Sequence, residues 1–189
     1  MKKDECIALN TQKILADQRK KDEKITKQRD REAKETFRPI QKWRKMFQDE
    51  INLIARLIDK GHPCMMCGNA HMKRINGCHY HSRGNNLTLA YNLLNIYHGC
   101  HSCNVEKGGN IIGFDTCLIA TFGEELWNEV KFNLVREYPR VDLRENDFKE
   151  KIPIAREIVR ELKKANRIYT SEERIELRDK YNKRLQIYI

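Results

Sequence analysis

The chain has 189 residues, which is enough for one domain with a core or for a small module flanked by helical arms, and which excludes two large domains. Lysine and arginine number 37 against 27 aspartate and glutamate residues, and the net charge of +10 favours a polyanionic partner such as nucleic acid. Charge alone would also suit a ribosome-binding or membrane-surface protein. The longest apolar runs fall far short of the roughly 20 residues of a membrane span, so we expect a soluble protein.

The first residues are polar and lead into no secretory apolar segment, so we expect an intracellular, thiol-reducing location. In such a compartment the seven cysteines indicate metal binding rather than disulfides. The sequence contains no internal repeat and no Gly/Ser linker, so changes in composition are the guide to its organisation.

Residues 1–38 form a charged N-terminal arm. Between Arg19 and Glu35 only Ile25 and Ala33 are apolar, so this stretch has no face to bury and is expected to be a solvated helix or disordered. The arm either keeps the protein in solution or contacts a DNA backbone in a salt-sensitive manner.

Residues 39–61 have the apolar spacing of an amphipathic helix. Pro39 suits a helix start, Gly61 supplies a stop, and Pro63 prevents continuation. The apolar positions recur mostly every three or four residues: Ile40, Trp43, Met46, Phe47, Ile51, Ile54, Leu57 and Ile58. We expect this helix to pack against the module that follows, with an interface between two copies of the chain as the alternative.

Residues 62–122 form a module in which the cysteines gather. The Cys-x-x-Cys pairs Cys64/Cys67 and Cys100/Cys103 each place two thiols near enough to clamp one tetrahedral ion, which predicts a structural zinc site of four thiolates. A closed site of this kind would organise the fold and perform no chemistry. Unrelated buried cysteines or a redox dithiol are the alternatives. The long stretch between the pairs indicates a folded insert.

The insert carries the candidate reactive groups. The alternation over residues 77–85 predicts a short strand ending in a turn, with His79 and His81 on one face. Asn95 precedes the second cysteine pair and Asn104 follows it. Each of these residues alone would ordinarily be a surface, core or turn residue, and their spacing relative to the cysteines favours a site.

Residues 123–189 form a C-terminal helical region. Helical spacing leads up to a stop expected at Gly123. A helix predicted over residues 147–166 contains Pro153, which must either occupy the first turn or kink the helix. A last helix is expected to open at Thr170, because a glutamate three residues further on has the spacing of a capping box.

The order histidine, asparagine and then Cys-x-x-Cys-Asn-x-x-Lys-Gly resembles the HNH endonucleases, a superfamily in which two strands and a helix hold one catalytic divalent ion. Within it, the chain is similar to the NinG (Rap) recombination proteins of lambdoid phages over about Gln41–Asn166. The segments that carry this likeness are Gly77–Tyr80, Asn95–His98, Cys100–Asn104 and Gly109–Asn110. The resemblance implies an α+β, mostly helical fold, with a central zinc-stabilised ββα-metal (HNH) finger flanked by long amphipathic helices.

The resemblance also implies a metal-dependent DNA endonuclease. His79 would be the general base that deprotonates a water for attack on a phosphodiester. Asn95 would hold the loop that orients His79, and Asn104 would offer its carbonyl oxygen to a catalytic Mg²⁺ or Mn²⁺. His81 would bind the scissile phosphate or the metal. A neutral imidazole and a divalent ion are the parts that phosphodiester hydrolysis needs.

One position departs from the family pattern. Many HNH enzymes have aspartate or histidine directly before the base, whereas Cys78 stands there in this chain and is a soft ligand poorly matched to magnesium. The remaining metal ligands are therefore open, with His81, Glu106, Asp115, water and phosphate as candidates.

Basic residues around the site are expected to contact phosphates, and they are Lys73, Arg74, Arg83 and Lys107. The sequence contains no groove-reading code, which favours recognition of DNA shape. The resemblance implies branched recombination intermediates such as D-loops and Holliday junctions, other recombination proteins as partners, and the cytoplasm of a bacterial host. A homodimer through the helical arms is a further hypothesis, since cutting both strands of a symmetrical junction calls for two sites.

Two other functions compete with the nuclease. One is a non-catalytic zinc-finger protein that binds DNA or mediates recombination, in which His79 and Asn104 are structural. The other is a basic RNA- or ribosome-associated protein, for which charge is the only support.

Overall fold

The computed structural model describes residues 3–36, 40–84, 89–137 and 142–187. The chain forms two compact units, residues 1–39 and residues 40–189. The first unit contains helix α1, Lys3–Thr36, in which the side chains of residues 12–33 are exposed throughout. The charged arm is thus helical rather than disordered, and Pro39 lies outside the described residues. The boundaries expected at residues 62 and 123 fall inside the second unit.

The second unit is built on helices α2, Ile40–Ile58, and α5, Glu145–Ala165, which pack along their apolar faces. The ring of Phe47 is fully buried, with its centroid 5.8 Å from that of Phe148. Burying an aromatic side chain of this size contributes about 2–3 kcal/mol. The core around α2 comes mainly from α5. Smaller contributions come from the helix of residues 171–185 and from the cysteine module against which α2 was expected to pack.

Pro153 lies well inside α5 rather than in its first turn. The helix continues through it, since Pro153 and the preceding turn around Lys149 face solvent, where water can satisfy the carbonyl that loses its N–H partner. The last helix, α6, covers Ser171–Leu185 and begins with the predicted capping box: Thr170 Oγ1 accepts from the Glu173 N–H, and the Thr170 N–H donates to the Glu173 carboxylate.

A two-stranded antiparallel sheet lies beside α2 and consists of β1, Ile75–His79, and β2, Ile96–Cys100. A π-helical turn, Ser102–Glu106, follows β2 directly. Gly77 lets α2 cross β1 closely, because a Cβ at this position would stand 2.8 Å from the Asn52 Cβ and 3.0 Å from its Cα. The polar side of α2 therefore borders the strand that ends at His79.

The strand predicted over residues 77–85 was placed too late in the chain. β1 ends at His79, so His81 lies beyond the sheet and does not share a strand face with His79. The reason is Asn95: its Oδ1 accepts from the His81 N–H at 2.8 Å and its Nδ2 donates to the His81 carbonyl at 3.1 Å. These bonds occupy the backbone groups of His81 that a longer ladder would need. Asn85 lies outside the described residues.

Helix α3, Ile111–Asn128, completes the module, and its backbone breaks at Gly123, where φ is +89°. The predicted stop at this glycine is therefore a break in helical geometry rather than the end of the segment. A π-helical turn, Glu129–Asn133, and the short helix α4, Leu134–Glu137, follow. A second apolar core joins α3 and α4 to the sheet and the cysteine pairs. None of the described helices is long and apolar enough to cross a bilayer.

Helix α6 is fastened to the sheet by a buried ion cluster. The Asp59 carboxylate accepts from Arg174 Nε at 2.8 Å and from Arg178 at 2.7 Å, and all three side chains are fully buried. Its Oδ2 also accepts from the backbone N–H of His98, in β2, at 2.9 Å. Burial alone would raise the pKa of Asp59, but the two guanidinium groups outweigh it and hold the pKa at about 2.

Candidate functional site

Four cysteine thiols converge at the junction of the two Cys-x-x-Cys pairs. The Sγ atoms of Cys64, Cys67, Cys100 and Cys103 all lie within 4.8 Å of one another, and those of Cys67 and Cys100 are 3.9 Å apart. A tetrahedral zinc with Zn–S bonds of about 2.3 Å separates its sulfurs by about 3.8 Å. The four predicted ligands therefore fit a structural metal such as zinc.

The backbone around Cys64 is arranged to support a thiolate. Its Sγ accepts from the Met66 N–H at 3.4 Å and from the Cys100 N–H at 3.2 Å, and the second bond ties the two pairs together. Burial raises the pKa of Cys64 and of Cys103, so these thiols would stay protonated without a nearby cation. A bound metal would supply that positive charge.

Glycine permits the close packing on which this cluster depends. A Cβ at Gly99 would stand 2.4 Å from the Met66 Cε and 2.9 Å from the Cys78 Sγ. Cys78 is buried beside the cluster but is not one of the four converging thiols. Because successive strand side chains alternate between faces, Cys78 points to the cluster side while His79 points to the opposite side.

His79 lines an open pocket of about 670 Å³, together with Asn104. The pocket is bounded by α2, β1, the turn that contains Arg83, and the backbone before α3. The structure thus brings together the residues predicted as base and as metal ligand. The remaining lining residues are Asp49, Asn52, Arg56, Ile75, Asn76, Gly77, Tyr80, Ser82, Arg83, Gly84, Gly108, Gly109 and Ile111.

The imidazole of His79 is held in one tautomer. Its Nε2 lies 3.0 Å from the carbonyl oxygen of Ala90, which can only accept, so the neutral ring carries its proton on Nε2 and a lone pair on Nδ1. The Nε2 of the Gln48 side chain lies 3.3 Å from the same ring nitrogen. Burial, with a smaller contribution from Arg83, lowers the pKa of His79 to about 4, although the bond to Ala90 opposes the shift. The ring is therefore neutral at pH 7, with a lone pair on Nδ1.

Asn95 and His81 lie outside this pocket. Asn95 is fully buried and bonds to both backbone groups of His81 and to the Leu89 carbonyl at 3.0 Å, so it closes the loop between the strands. The His81 Nε2 lies 2.7 Å from the carbonyl of Val130, and the ring packs edge-on against Tyr80. The side chain of His81 is thus directed toward the segment after α3.

The four basic residues predicted to bind phosphate are divided among different places. Arg83 lines the His79 pocket, whereas Lys73 and Arg74 line a separate pocket of about 440 Å³ beside His101. Lys107 is exposed between Asn104 and Gly108, which both line the first pocket, but Lys107 itself lines neither.

The carboxylates considered as further metal ligands are engaged elsewhere. Asp115 accepts from Tyr80, from Trp127 Nε1 at 2.7 Å and from Lys131 at 2.9 Å. Glu106 accepts from Ser102 at 2.7 Å and lines the second pocket.

Sequence reasoning missed the contribution of α2, whose Asp49, Asn52 and Arg56 line the His79 pocket. Asp49 is the single carboxylate among the described lining residues. The polar side of an amphipathic helix was visible in the sequence, but its partner was not. The signal that could have located it is Gly77, a bare position inside a strand, which marks the close approach of another backbone.

One family model matches most of the chain, and individual relatives match about half of it. The family model described as "NinG: Bacteriophage Lambda NinG protein" covers residues 1–186. Protein ninG of Escherichia phage lambda is 30% identical over 97 residues, which are 51% of this chain and 48% of that protein. Protein ninG of Escherichia phage 933W is 29% identical over 97 residues, which are again 51% of this chain and 48% of that protein. Protein ninG of Salmonella phage P22 is 27% identical over 95 residues, which are 50% of this chain and 47% of that protein.

The chain spans about half the length of these curated relatives in the matched region. No solved structure matches it. Because the family model extends from the charged arm through α6, the match includes the four converging cysteines, the His79 pocket and the ion cluster that fastens α6. The chain therefore belongs to the NinG family of bacteriophage proteins.

Proposed function

We propose that this protein is a metal-dependent DNA endonuclease of the HNH superfamily that hydrolyses phosphodiester bonds in branched recombination intermediates. The observation that carries the proposal is the meeting of His79 and Asn104 on one pocket, with the Nε2 of His79 bonded to the Ala90 carbonyl and no described residue recorded as bonding to its Nδ1. The succession of β1, β2 and the helical turn of residues 102–106 supports the proposal, because an HNH finger is built of two strands followed by a helix.

In this reaction the Nδ1 of His79 takes a proton from water as the water oxygen attacks phosphorus, and the bond from phosphorus to the 3′ oxygen breaks. The Ala90 carbonyl keeps the ring in the tautomer that can do this, and Asn95 holds the loop to which Ala90 belongs. A divalent Mg²⁺ or Mn²⁺, held through Asn104 Oδ1, would supply the positive charge that stabilises the departing oxygen.

The donors on the pocket suit such an ion. Asn104, Asn52 and Asp49 offer side-chain oxygens, which hard cations prefer, and magnesium commonly keeps several waters and takes only one or two carboxylates from a protein. Cys78, the soft neighbour of the base in sequence, faces away from the pocket. The four-cysteine zinc would hold the two ends of the finger together and take no part in the chemistry.

DNA is the substrate that the charge favours, since the chain carries +10 and its pocket has Arg56 and Arg83 against one carboxylate. Branched intermediates such as D-loops and Holliday junctions, a homodimer that cuts two strands, and other recombination proteins as partners belong to the same proposal, as does action on DNA in the host cytoplasm.

One observation favours a non-catalytic DNA-binding or mediator protein as the second candidate. Asp49 is exposed and forms an ion pair of 2.9 Å with Lys45, so the single carboxylate on the pocket is already partnered. A finger with this pocket would then bind DNA without cutting it.

Cleavage assays separate the two candidates. Purified protein is incubated with a Holliday junction and with linear duplex DNA in Mg²⁺ or Mn²⁺, beside His79→Ala and the control His71→Ala, which changes an exposed histidine outside the His79 pocket. We expect cleavage by the wild type and the control, and a rate reduced by about 10²–10⁴-fold in His79→Ala. Cleavage that persists unchanged in His79→Ala would refute the assignment of the base. Binding without cleavage in either metal would favour the second candidate.

A further inference from the structure

The His79 pocket continues into another pocket along α2, which is distinct from the one beside His101. This α2 pocket, of about 480 Å³, shares Asp49, Asn52 and Arg83 with the His79 pocket. It extends past Arg44 toward the start of the helix and past Tyr91 of the inter-strand loop. The two pockets therefore form one groove, which we call the α2 groove.

One wall of the α2 groove is a single face of α2. Gln41, Arg44, Gln48, Asn52 and Arg56 recur at the spacing of one helical face and all line the groove. The buried face of α2 lies directly beside this one and shares Gln48 with it, so the core fixes which way the groove-lining face points. From the first to the last of these residues the helix rises about 22 Å, which matches the axial rise of about six phosphates on one strand of duplex DNA.

The base lies beside the middle of this wall. His79 lies 3.3 Å from the side-chain amide of Gln48. On α2, Gln48 is one turn after Arg44 and two turns before Arg56. Gln48 in turn donates to Asn52 Oδ1 at 3.0 Å. A chain that follows the α2 groove would therefore pass His79 with a guanidinium on either side of it.

The charges of the α2 groove are available to a polyanion. Arg44 and Arg83 are exposed, and neither forms an ion pair with any residue in the described ranges. Within the described part of the chain, Arg56 bonds to the backbone carbonyls of Asn52 at 3.3 Å and Ile75 at 3.4 Å and forms no ion pair. Asp49, the carboxylate of the α2 groove, is paired with Lys45.

We propose that the sugar-phosphate backbone of the cleaved DNA strand runs along the α2 groove, with Arg44 and Arg83 binding phosphates on one side of the scissile bond and Arg56 binding on the other. This assignment rests on the proposed nuclease function for the position of the cut, and on the groove itself for the path of the strand. It makes α2, which precedes the finger in sequence, part of the substrate-binding surface.

The path is tested by equilibrium binding to a fluorescein-labelled Holliday junction without added divalent ion, over a series of salt concentrations. The test variant is Arg44→Gln with Arg83→Gln. The control is Lys163→Gln with Lys164→Gln, which removes the same charge from exposed residues of α5 that line neither pocket of the α2 groove. Each lost phosphate contact lowers the slope of log K against log salt by about 0.9. We expect a decrease of about 1.8 for the test variant and no decrease for the control. Equal slopes for the two double variants would overturn the proposal.

A cleavage measurement then tests which strand lies in the α2 groove. A neutral methylphosphonate beside the cut should slow cleavage by the wild type and should slow the Arg44→Gln, Arg83→Gln variant less, because contacts that share a partner are not additive. Fully additive effects would place the cleaved strand elsewhere. If no DNA is ever cut but the salt slopes differ as expected, the nuclease function fails while the binding path stands.

Discussion

The side-chain amide of Asn182 donates a hydrogen bond of 2.9 Å to Oδ1 of Asn92, although the two residues are 90 positions apart in the sequence. Asn182 also accepts from the Leu93 N–H at 2.9 Å. Asn92 closes a turn by donating its N–H to the Leu89 carbonyl at 3.2 Å, and within that turn lies Ala90, whose carbonyl orients His79. Helix α6 thus helps to hold the turn whose Ala90 carbonyl sets the tautomer of His79.

Asn182→Ala should therefore weaken both stability and cleavage. The buried Leu93 N–H loses its acceptor, which costs about 1–3 kcal/mol, and the turn around Ala90 loses its anchor. Urea unfolding and the cleavage rate of still-folded protein are the measurements, with the exposed Glu176→Ala on the same helix as control. A loss of stability with no change in cleavage rate would mean that the turn keeps its geometry without α6.

Removal of zinc should unfold the module. We expect one zinc per chain, lost in Cys67→Ser and retained in Cys117→Ser, since Cys117 is outside the four converging thiols. Chelation should lower the melting temperature and increase hydrogen exchange first in β1, β2 and the turns that hold the cysteines, because the ion joins both ends of that region. An unchanged melting curve after complete metal removal would contradict the site.

Acid should destabilise the wild type through His79. Its pKa in the folded protein is about 4, against about 6.5 when unfolded, so between these values the unfolded chain binds more protons and the free energy of unfolding falls as pH falls. In His79→Gln this part of the pH dependence is absent. The difference in unfolding free energy between zinc-saturated wild type and variant should therefore shrink by a few kcal/mol at most from pH 7 to pH 4. A difference that is constant with pH would show that His79 titrates normally.

Asp59→Asn should be far more damaging than Asp49→Asn. Removing the charge of Asp59 leaves two buried guanidinium groups without a carboxylate, which costs about 3–5 kcal/mol. Asp49 lies in an exposed pair worth about 0–1 kcal/mol. Denaturant unfolding of the two variants compares the same chemical change in two environments, and similar losses would argue against the buried cluster.

Asn104→Ala should raise the concentration of Mn²⁺ or Mg²⁺ at which cleavage is half-maximal, because the pocket loses an oxygen donor. Asn104→Asp keeps an oxygen there and should restore metal binding. Ser102→Ala, in the same turn, serves as the control, since Ser102 bonds to Glu106 and is not on the His79 pocket. An unchanged metal dependence in Asn104→Ala would remove this residue from the ligand set.

The features that the sequence predicted correctly are those set by local chemistry. Each Cys-x-x-Cys pair positions its own two thiols, and the Thr170 capping box depends on neighbours three residues apart. The periodicity of α2 and α5 also follows from local order. The convergence of both cysteine pairs on one point was predictable because a tetrahedral ion needs four ligands.

Features decided by distant contacts were not predictable. The end of β1 at His79 depends on the side chain of Asn95, and the position of Arg74 in another pocket depends on how β1 meets the turn after β2. The wall that α2 gives to the His79 pocket depends on a close crossing at Gly77. In each case one chain segment meets another that is remote in sequence. The spacing of apolar residues along one segment does not indicate which other segment it will contact.

The ion cluster at Asp59 has a consequence for biosynthesis. The carboxylate and the β2 amide that it holds are translated well before Arg174 and Arg178, which neutralise it. Until α6 has been translated, the Asp59 carboxylate of a nascent chain therefore lacks its two guanidinium partners. We expect the contact between Asp59 and β2 to reach its native rigidity only after Arg178 has left the ribosome.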